Sequence, residues 1–356
     1  MGRGSRFLAP AAAALVAAAV CVSCATTRPL PAGGRDVLGP GYPLDLTVSY
    51  HAALFHWVDS LAGTSGGKTI EAYRRQFAVR LGAPTPDVDR RLEAFVALRK
   101  RHAAAAPRRL EDGLEIAPPV ALLGAFVSTD SLEEAYAKAA RDFTPGEAAE
   151  FRALLESFRP AFDEVWDGGR IPREFTERFG DPRTRDDIAR LLARFAEFFG
   201  VDPATMPRPR LVVVPVPGQH GTHSQAVGRQ LLIEVRVAEN LADQVAVIAH
   251  ENAHLLWAAR GTARNERLAA VAAAAGRRGT NAFLLLHEAL PTVLGQGIAD
   301  RRFNRLGWSP RAPWYHLEDV DAYAKALHPY VEGVLRTGGT FDEAFVRHAV
   351  GFYSGP

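Results

Sequence analysis

Cysteine is almost absent from this sequence, which has Cys21 and Cys24 and no other in 356 residues. If the segment before Cys24 is removed, Cys24 is the single cysteine left. The remaining chain then has no internal disulfide, no cysteine nucleophile and no thiolate metal site. Any bound metal ion therefore has to be held by His, Asp and Glu side chains.

The sequence also has little net charge and no long basic run. Its formal charge is +2, from 42 basic and 40 acidic side chains, and no block of Lys and Arg exceeds three residues. Because nucleic-acid binding needs a basic surface, the sequence predicts no nucleic-acid partner. The 47% hydrophobic and 23% charged residues are typical of a packed globular protein and exclude disorder, collagen and coiled coil.

The first residues are typical of an export signal. Two arginines precede an apolar run over 7–22 that is short for a bilayer span and ends in small residues. The segment Cys-Val-Ser-Cys-Ala at 21–25 resembles the lipobox of bacterial lipoproteins. That resemblance implies a signal peptide over 1–23, lipidation of Cys24 and a protein exported to the cell envelope on a lipid anchor. An ordinary cleaved signal peptide and an uncleaved anchor are the alternatives.

Two composition changes divide the rest of the chain. Residues 24–43 are rich in Thr, Arg, Pro and Gly and predict a flexible tether. From 44 to 202, apolar residues recur every three or four positions, which predicts a helical N-terminal domain. Ser131 and Thr144 each stand three residues before a Glu and predict helix N-termini. The predicted helices in this part cover 69–81, 88–102, 131–142, 145–166 and 183–199.

The part from 203 to 356 begins with β-branched runs. Residues 211–216 and 231–235 predict two strands, paired as a hairpin with a long loop. The clearest helices after them are predicted over 241–260 and 281–303.

One motif in this part carries chemistry: His250-Glu251-Asn252-Ala253-His254 has the pattern H-E-x-x-H. Residues four apart share one face of a helix, so His250 and His254 can converge on one metal ion. Glu251, one residue on, can then act on an attacking water. The alternative interpretation is a buried histidine pair with a structural role only, which would be costly to bury without a partner.

An open catalytic zinc site needs a third protein ligand. Glu288 is favoured, because it lies in a second apolar helical segment, Leu-Leu-Leu-His-Glu-Ala-Leu over 284–290, where an unpaired carboxylate is difficult to explain. His287 and Glu266 are the alternatives.

At this point the sequence resembles the gluzincin metallopeptidases, the thermolysin-like clan, over roughly 211–302. In that family H-E-x-x-H supplies two zinc ligands and a Glu on a following helix supplies the third. The resemblance implies zinc at His250, His254 and Glu288 and general-base catalysis by Glu251. It also implies that 203–356 is a zincin-like metallopeptidase domain in a helix-dominated α+β fold, with a small, mostly antiparallel sheet packed on the active-site helix.

Two further expectations follow from the resemblance. The strand at 231–236 would be the edge strand that lines the cleft, with the His-rich loop 218–224 before it, although a solvated hairpin loop is the simpler interpretation of 218–224. Thr292 stands where many members have an Asp that orients a ligand histidine.

A side chain that stabilises the developing oxyanion is also required, and its candidates are Tyr315, His316, Tyr323, Tyr330, His348 and Tyr353.

The sequence therefore predicts an exported, lipid-anchored zinc metallopeptidase that acts on a peptide or protein substrate. Two other functions remain open. One is a non-catalytic envelope protein with a structural or decayed metal site. The other is a zinc hydrolase of non-peptide amides or esters.

Overall fold

The computed structural model describes most of the chain after residue 35. The described residues are 36–37, 42, 44–65, 70–104, 108–109, 115–116, 118–166, 170, 174, 182–206, 209–216, 224–227, 230–236 and 241–355. The predicted signal peptide over 1–23, the predicted lipidation site Cys24 and nearly all of the His-rich loop lie outside them. The described residues all belong to one compact unit.

A mixed sheet lies at the centre of the fold. Its five strands are arranged in the order β1-β2-β5-β7-β6. β2 pairs in parallel with β5, and β5 in parallel with β7, whereas the β1–β2 and β7–β6 pairs are antiparallel. A separate short ribbon pairs β3 with β4. The strands are β1 (Asp36–Val37), β2 (Asp45–Val48), β3 (Arg108–Arg109), β4 (Glu115–Ile116), β5 (Arg210–Val216), β6 (Ser224–Val227) and β7 (Gln230–Arg236).

Three expectations about the strands were wrong. The sheet is mixed and not mostly antiparallel, and the two β-branched runs form the parallel pair β5–β7 instead of a hairpin. The hairpin is β6–β7, and the edge strand at this end of the sheet is β6, because β7 lies between β5 and β6. The apolar run at the start of β7 is typical of a strand that is buried on both faces, which is an interior position.

Helices make up most of the described chain, and the described residues of the predicted segments at 69–81, 88–102, 145–166 and 183–199 are all helical. The observed helices are α1 (Tyr50–Leu61), α2 (Ile70–Leu81), α3 (Pro86–Ala103), α4 (Pro118–Val127), α5 (Leu132–Ala139), α6 (Pro145–Trp166), α7 (Pro182–Phe199), α8 (Leu241–Ala259), α9 (Thr262–Ala273), α10 (Gly276–Thr292), α11 (Asp300–Phe303), α12 (Glu318–Thr337) and α13 (Glu343–Val350). A short 3₁₀ turn, Ala140–Asp142, follows α5.

Both predicted caps are present. The Ser131 hydroxyl accepts a hydrogen bond from the Glu134 amide at 3.2 Å and begins α5. At the start of α6, the Thr144 hydroxyl accepts from the Glu147 amide at 3.3 Å, and the Glu147 carboxylate accepts from the Thr144 amide at 3.1 Å. These reciprocal bonds satisfy two amides that have no partner within the helix.

The sheet separates two hydrophobic cores. On one face, Leu211, Val213 and Ile233 pack with the helices from α7 onwards. On the other face, Val212 and Leu232 pack with α1–α6. The alternation along each strand sends successive side chains to opposite cores. The sheet is thus covered by helices on both sides, and the part of the chain predicted as an N-terminal helical domain packs directly on the strands of the following part.

The predicted start of folding at residue 44 was too late. β1 pairs with β2, and the Tyr42 side chain is buried, so the last part of the segment predicted as a tether belongs to the fold. The Tyr42 hydroxyl donates a hydrogen bond to Asn252 Oδ1 at 2.6 Å. Since Asn252 lies within the H-E-x-x-H motif, this bond links the start of the described fold to α8.

A π-helical segment, Val293–Ala299, joins α10 to α11. The combined helix, Gly276–Phe303, is the one in the described chain with the length and composition of a membrane span. Two thirds of its apolar window, 67%, is buried inside the protein, as in the core helix of a folded domain. π turns within α-helices occur frequently at functional sites.

Candidate metal centre

Two neighbouring helices bring three potential metal ligands together. His250 and His254 lie one turn apart on α8, and Glu288 lies on α10, which packs beside it. Glu288 Oε2 is 3.5 Å from His250 Nε2 and 3.6 Å from His254 Nε2, and the two Nε2 atoms are 3.2 Å apart. Among the described residues this is the one group of His, Cys, Asp and Glu side chains close enough to hold a metal ion.

These separations fit a tetrahedral cation. Two ligand atoms that each lie about 2.0–2.1 Å from a zinc ion are about 3.3–3.4 Å apart at the tetrahedral angle. The three observed separations, 3.2, 3.5 and 3.6 Å, are close to that value. Two imidazole nitrogens and one carboxylate oxygen are also a donor set that zinc accepts. The group could therefore hold a metal ion with little rearrangement.

Burial and charge shape the protonation of this group. Burial raises the pKa of the Glu288 carboxyl, but its hydrogen bonds with His250 and His254 and their charges outweigh burial and hold the pKa well below its usual range. Burial lowers the pKa of His254, but the hydrogen bond with Glu288 and the charges of Glu251 and Glu288 raise it above its ordinary value. Glu288 is therefore an anion that needs a positive partner, which a protonated imidazole or a metal cation can supply.

The two alternative third ligands lie elsewhere. The His287 ring packs against Trp257, with the ring centroids 4.1 Å apart, and against Phe283. Glu266 lies on α9 with an exposed side chain. Neither belongs to the group formed by His250, His254 and Glu288.

Glu251 faces the edge strand of the sheet. Its Oε1 accepts a hydrogen bond from the Ser224 hydroxyl at 2.7 Å, and its Oε2 accepts from the Ala226 amide at 3.0 Å. The charge of Glu251 contributes to the raised pKa values of His254 and Tyr315, so its carboxylate lies within electrostatic reach of the metal-ligand group. Sequence reasoning missed Ser224 as a partner, because the pairing of β6 with β7 brings it beside α8.

Tyr315 is the oxyanion candidate that contacts the group. Its hydroxyl donates to Glu288 Oε2 at 3.0 Å, and its ring stacks on His250 with centroids 6.1 Å apart and planes inclined by 10°. Burial and the charge of Glu288 raise the pKa of the Tyr315 phenol, which stays protonated as a donor. Of the other candidates, Tyr323 donates to the Ala349 carbonyl instead.

A short chain of hydrogen bonds fixes Tyr315 in place. Asp321, in the first turn of α12, accepts from the backbone amides of Trp314 at 2.6 Å and Tyr315 at 3.2 Å. Lys325 pairs with the same carboxylate at 2.7 Å. The loop that carries Tyr315 is thus bonded to the helix that follows it. The remaining candidates lie beside Tyr315 or in the C-terminal ring cluster: His316 next to Tyr315, and Tyr330, His348 and Tyr353 among the aromatic residues of α12 and α13.

Gly295 allows the close approach of the two ligand-bearing helices. A Cβ atom at Gly295 would lie 2.5 Å from the Ala246 carbonyl oxygen and 2.9 Å from His250 Cβ. A contact under 3.0 Å with backbone requires the helices to move apart. The glycine in the π segment therefore sets the distance between α8 and the helix of Glu288, and this contact was not predicted from the sequence.

The second ring nitrogen of His250 has no partner among the described residues of the kind that the resemblance to gluzincins would imply. In the part of the chain that the structure describes, His250 Nδ1 is buried without a hydrogen-bond partner, and the same holds for Thr292 Oγ1. A ligand imidazole normally donates its second nitrogen to a carboxylate or carbonyl, and losing that partner typically weakens metal affinity about 10–100-fold. The position where many gluzincins have an Asp is filled by a hydroxyl that does not bond to His250.

Comparison of the chain with protein-family models, with curated proteins and with solved structures finds no match. The fold and the ligand geometry described above are thus the observations on which a functional assignment depends.

Proposed function

We propose that this protein is a zinc-dependent hydrolase of peptide bonds that resembles the gluzincins. His250, His254 and Glu288 would hold the zinc ion, and Glu251 would act as the general base. The observation that carries the proposal is the set of separations of 3.2–3.6 Å among three ligand atoms of the types zinc binds, next to a carboxylate. A structural zinc site would not need Glu251.

The chemistry divides between the ion and the protein. A zinc ion bound here would supply a Lewis acid that polarises the scissile carbonyl and lowers the pKa of the attacking water to about 7. Glu251 would take the proton of that water and pass it to the leaving amine. Tyr315 would donate a hydrogen bond to the oxygen on which negative charge develops, since its protonated hydroxyl already lies within hydrogen-bond distance of Glu288.

An extended peptide is the substrate that the sheet favours. β6 is the edge strand next to α8 among the described strands, and Glu251 bonds to it directly. A peptide can add to such an edge by backbone hydrogen bonds, which places its carbonyl groups beside the ligand group. The strand that would pair with the substrate is therefore β6 and not the interior strand β7.

The proposed cellular location depends on the N-terminal residues alone. The signal-like run that ends at Cys24 supports export to the cell envelope and attachment through a lipid on that cysteine. Labelling of the expressed protein with a radioactive fatty acid tests this assignment, and Cys24→Ala should abolish the label. Label that persists in Cys24→Ala would contradict the anchor without affecting the zinc site.

The test of the function combines metal analysis with a cleavage assay on the full-length chain. The expected results are about one zinc ion per chain and cleavage within a mixed peptide library. Glu251→Gln should keep the zinc and lose cleavage by at least about 100-fold, because it removes the base and no ligand. Zinc without any hydrolysis would favour the non-catalytic envelope protein, and hydrolysis of esters or small amides without peptide cleavage would favour the non-peptide hydrolase.

A further inference from the structure

The backbone of the edge strand β6 is oriented by its pairing with β7. Ala226 lies opposite Leu231, and Gln225 lies opposite Leu232. The Ala226 amide donates to Glu251, so it points away from β7. Since an antiparallel strand alternates its bonding direction residue by residue, Gln225 bonds to β7, whereas Ser224 and Ala226 present their backbone groups to the outer edge.

The same strand holds both oxygens of the Glu251 carboxylate. The Ser224 hydroxyl donates to Oε1 at 2.7 Å, and the Ala226 amide donates to Oε2 at 3.0 Å. Hydrogen bonds to an ionised carboxylate are about twice as strong as those between neutral groups. A carboxylate with one bonded oxygen can rotate about its last bond, but bonds on both oxygens from one strand fix its plane.

We propose that Ser224 is a positioning residue for the general base, holding the Glu251 carboxylate at the edge strand in the plane from which it takes the proton of the attacking water. This inference rests on the proposed function. It extends that function by making β6 part of the catalytic geometry as well as the edge to which a peptide adds.

The requirement for a positioned base gives the expected size of the effect. A general base has to lie within about 2.6–3.2 Å of the proton that it removes. A displacement of about 1 Å can cost about 100-fold in rate. Without the Ser224 hydroxyl, the Ala226 amide would be the one hydrogen-bond donor left to Glu251 in the described part of the chain, and the carboxylate could turn. The loss should therefore appear in kcat, because Ser224 does not have to touch the substrate through its side chain.

The experiment compares four forms of the full-length, zinc-loaded chain: wild type, Ser224→Ala, Ser224→Thr and Ser157→Ala. Ser157 is the matched control, since it is half-buried and its hydroxyl donates to the Leu154 carbonyl on α6, on the other side of the sheet. Ser224→Ala should lower kcat about tenfold or more, with KM within about twofold and zinc content unchanged. Ser224→Thr keeps the hydroxyl on a residue favoured in strands and should restore kcat to within about threefold.

A double-mutant cycle separates positioning from a general structural effect. In the Glu251→Gln background, Ser224→Ala should cost no further activity, because the group that it positions is already gone. A structural defect would instead lower activity by the same factor in both backgrounds, which would overturn the inference.

A binding measurement gives a readout besides activity. Acetohydroxamate is a chelating acid whose hydroxyl proton has to be taken up by a base when it binds a metal ion. Titrated into the cobalt-substituted chain and followed by visible absorption, it should bind about tenfold more weakly to Ser224→Ala than to wild type, and equally to Ser157→Ala. Equal affinity and equal kcat in Ser224→Ala would overturn the inference while the proposed function stands. A wild-type chain with neither zinc nor hydrolysis would overturn both.

Discussion

Glu288 Oε2 lies 3.5 Å from His250 Nε2, across the interface between α10 and α8. The two side chains differ in exposure, with 9% of His250 and 39% of Glu288 accessible. The ligand group thus has a buried side that faces α8 and an open side at Glu288. Under the proposed function, a substrate would approach from the open side, where Tyr315 also reaches the carboxylate.

The ligand assignment predicts which substitutions remove zinc. His254→Ala and Glu288→Ala should weaken zinc binding by more than about 100-fold, beyond the 10–100-fold typical of an outer partner, because each removes a bond to the ion. Glu266→Ala and His287→Ala are the matched controls and should leave the affinity close to that of the wild type. The measurement is zinc content after dialysis against a chelator series. Retention of zinc in Glu288→Ala, with loss in either control, would assign the third ligand elsewhere.

The close contact at Gly295 predicts a coupled loss of stability and metal affinity. In Gly295→Ala the new Cβ would meet the Ala246 carbonyl and His250, and overpacking of this kind typically costs about 1–3 kcal/mol. Pushing α8 from the π segment should also weaken zinc binding. The control is Gly333→Ala on α12, where a Cβ meets nothing within 4 Å. That variant should be stabilised by about 0.5–1 kcal/mol through helix propensity.

Thermal unfolding and zinc titration of both variants check this prediction. If Gly295→Ala unfolds like the wild type and binds zinc equally well, the helices have room that the structure does not show.

The ligand-bearing helices could be predicted because their signals are local. His250 and His254 share a helix face through their spacing alone, and the apolar residues around Glu288 made an unpaired carboxylate improbable there. The structure brings the three side chains together. The capping pair at Thr144 and Glu147 was predictable for the same reason, since its bonds span three residues.

The strand order could not be predicted, because pairing is not local. β2 pairs with β5, which begins more than 160 residues later in the chain. Nothing in the sequence of either strand specifies that partner. The contact between Ser224 and Glu251 depends on this order, as does the position of β6 at the edge. Gly295 carries a weak signal, since a glycine inside an apolar helix is costly unless another element packs against it closely. The resemblance to gluzincins implied a mostly antiparallel sheet, and that expectation was wrong.

The charges around His254 predict its titration in the metal-free protein. Burial lowers its pKa, but the hydrogen bond with Glu288 and the charges of Glu251 and Glu288 raise it above the ordinary value of 6.5. Because the folded pKa exceeds the unfolded one, this group stabilises the metal-free fold fully below about pH 6.5. That contribution is lost as the pH rises through the folded pKa.

Proton NMR of the imidazoles measures this titration. His254 should titrate above 6.5, and Glu288→Gln should lower its midpoint. His287 gives a contrast in the same spectrum of the wild type, since burial and the charge of His254 lower its pKa in spite of the opposing charge of Glu288. A His254 midpoint below 6.5 would mean that Glu288 does not interact with it as the structure shows.

Removal of the hydroxyl group should lower kcat at Tyr315 but lower only the stability at Tyr323. Tyr315→Phe keeps the ring that stacks on His250 and removes the hydroxyl beside Glu288. Loss of a donor to a developing oxyanion typically costs about 100–1,000-fold in kcat, so a fall of that order is expected with zinc retained.

Tyr323→Phe removes a buried hydroxyl that donates to the Ala349 carbonyl. It should cost about 1 kcal/mol of stability and leave kcat unchanged. Steady-state kinetics on a cleaved peptide, with the unfolding temperature of each variant, distinguish the two. If Tyr315→Phe keeps wild-type kcat, the phenol serves only to orient Glu288, and the oxyanion donor has to be another group.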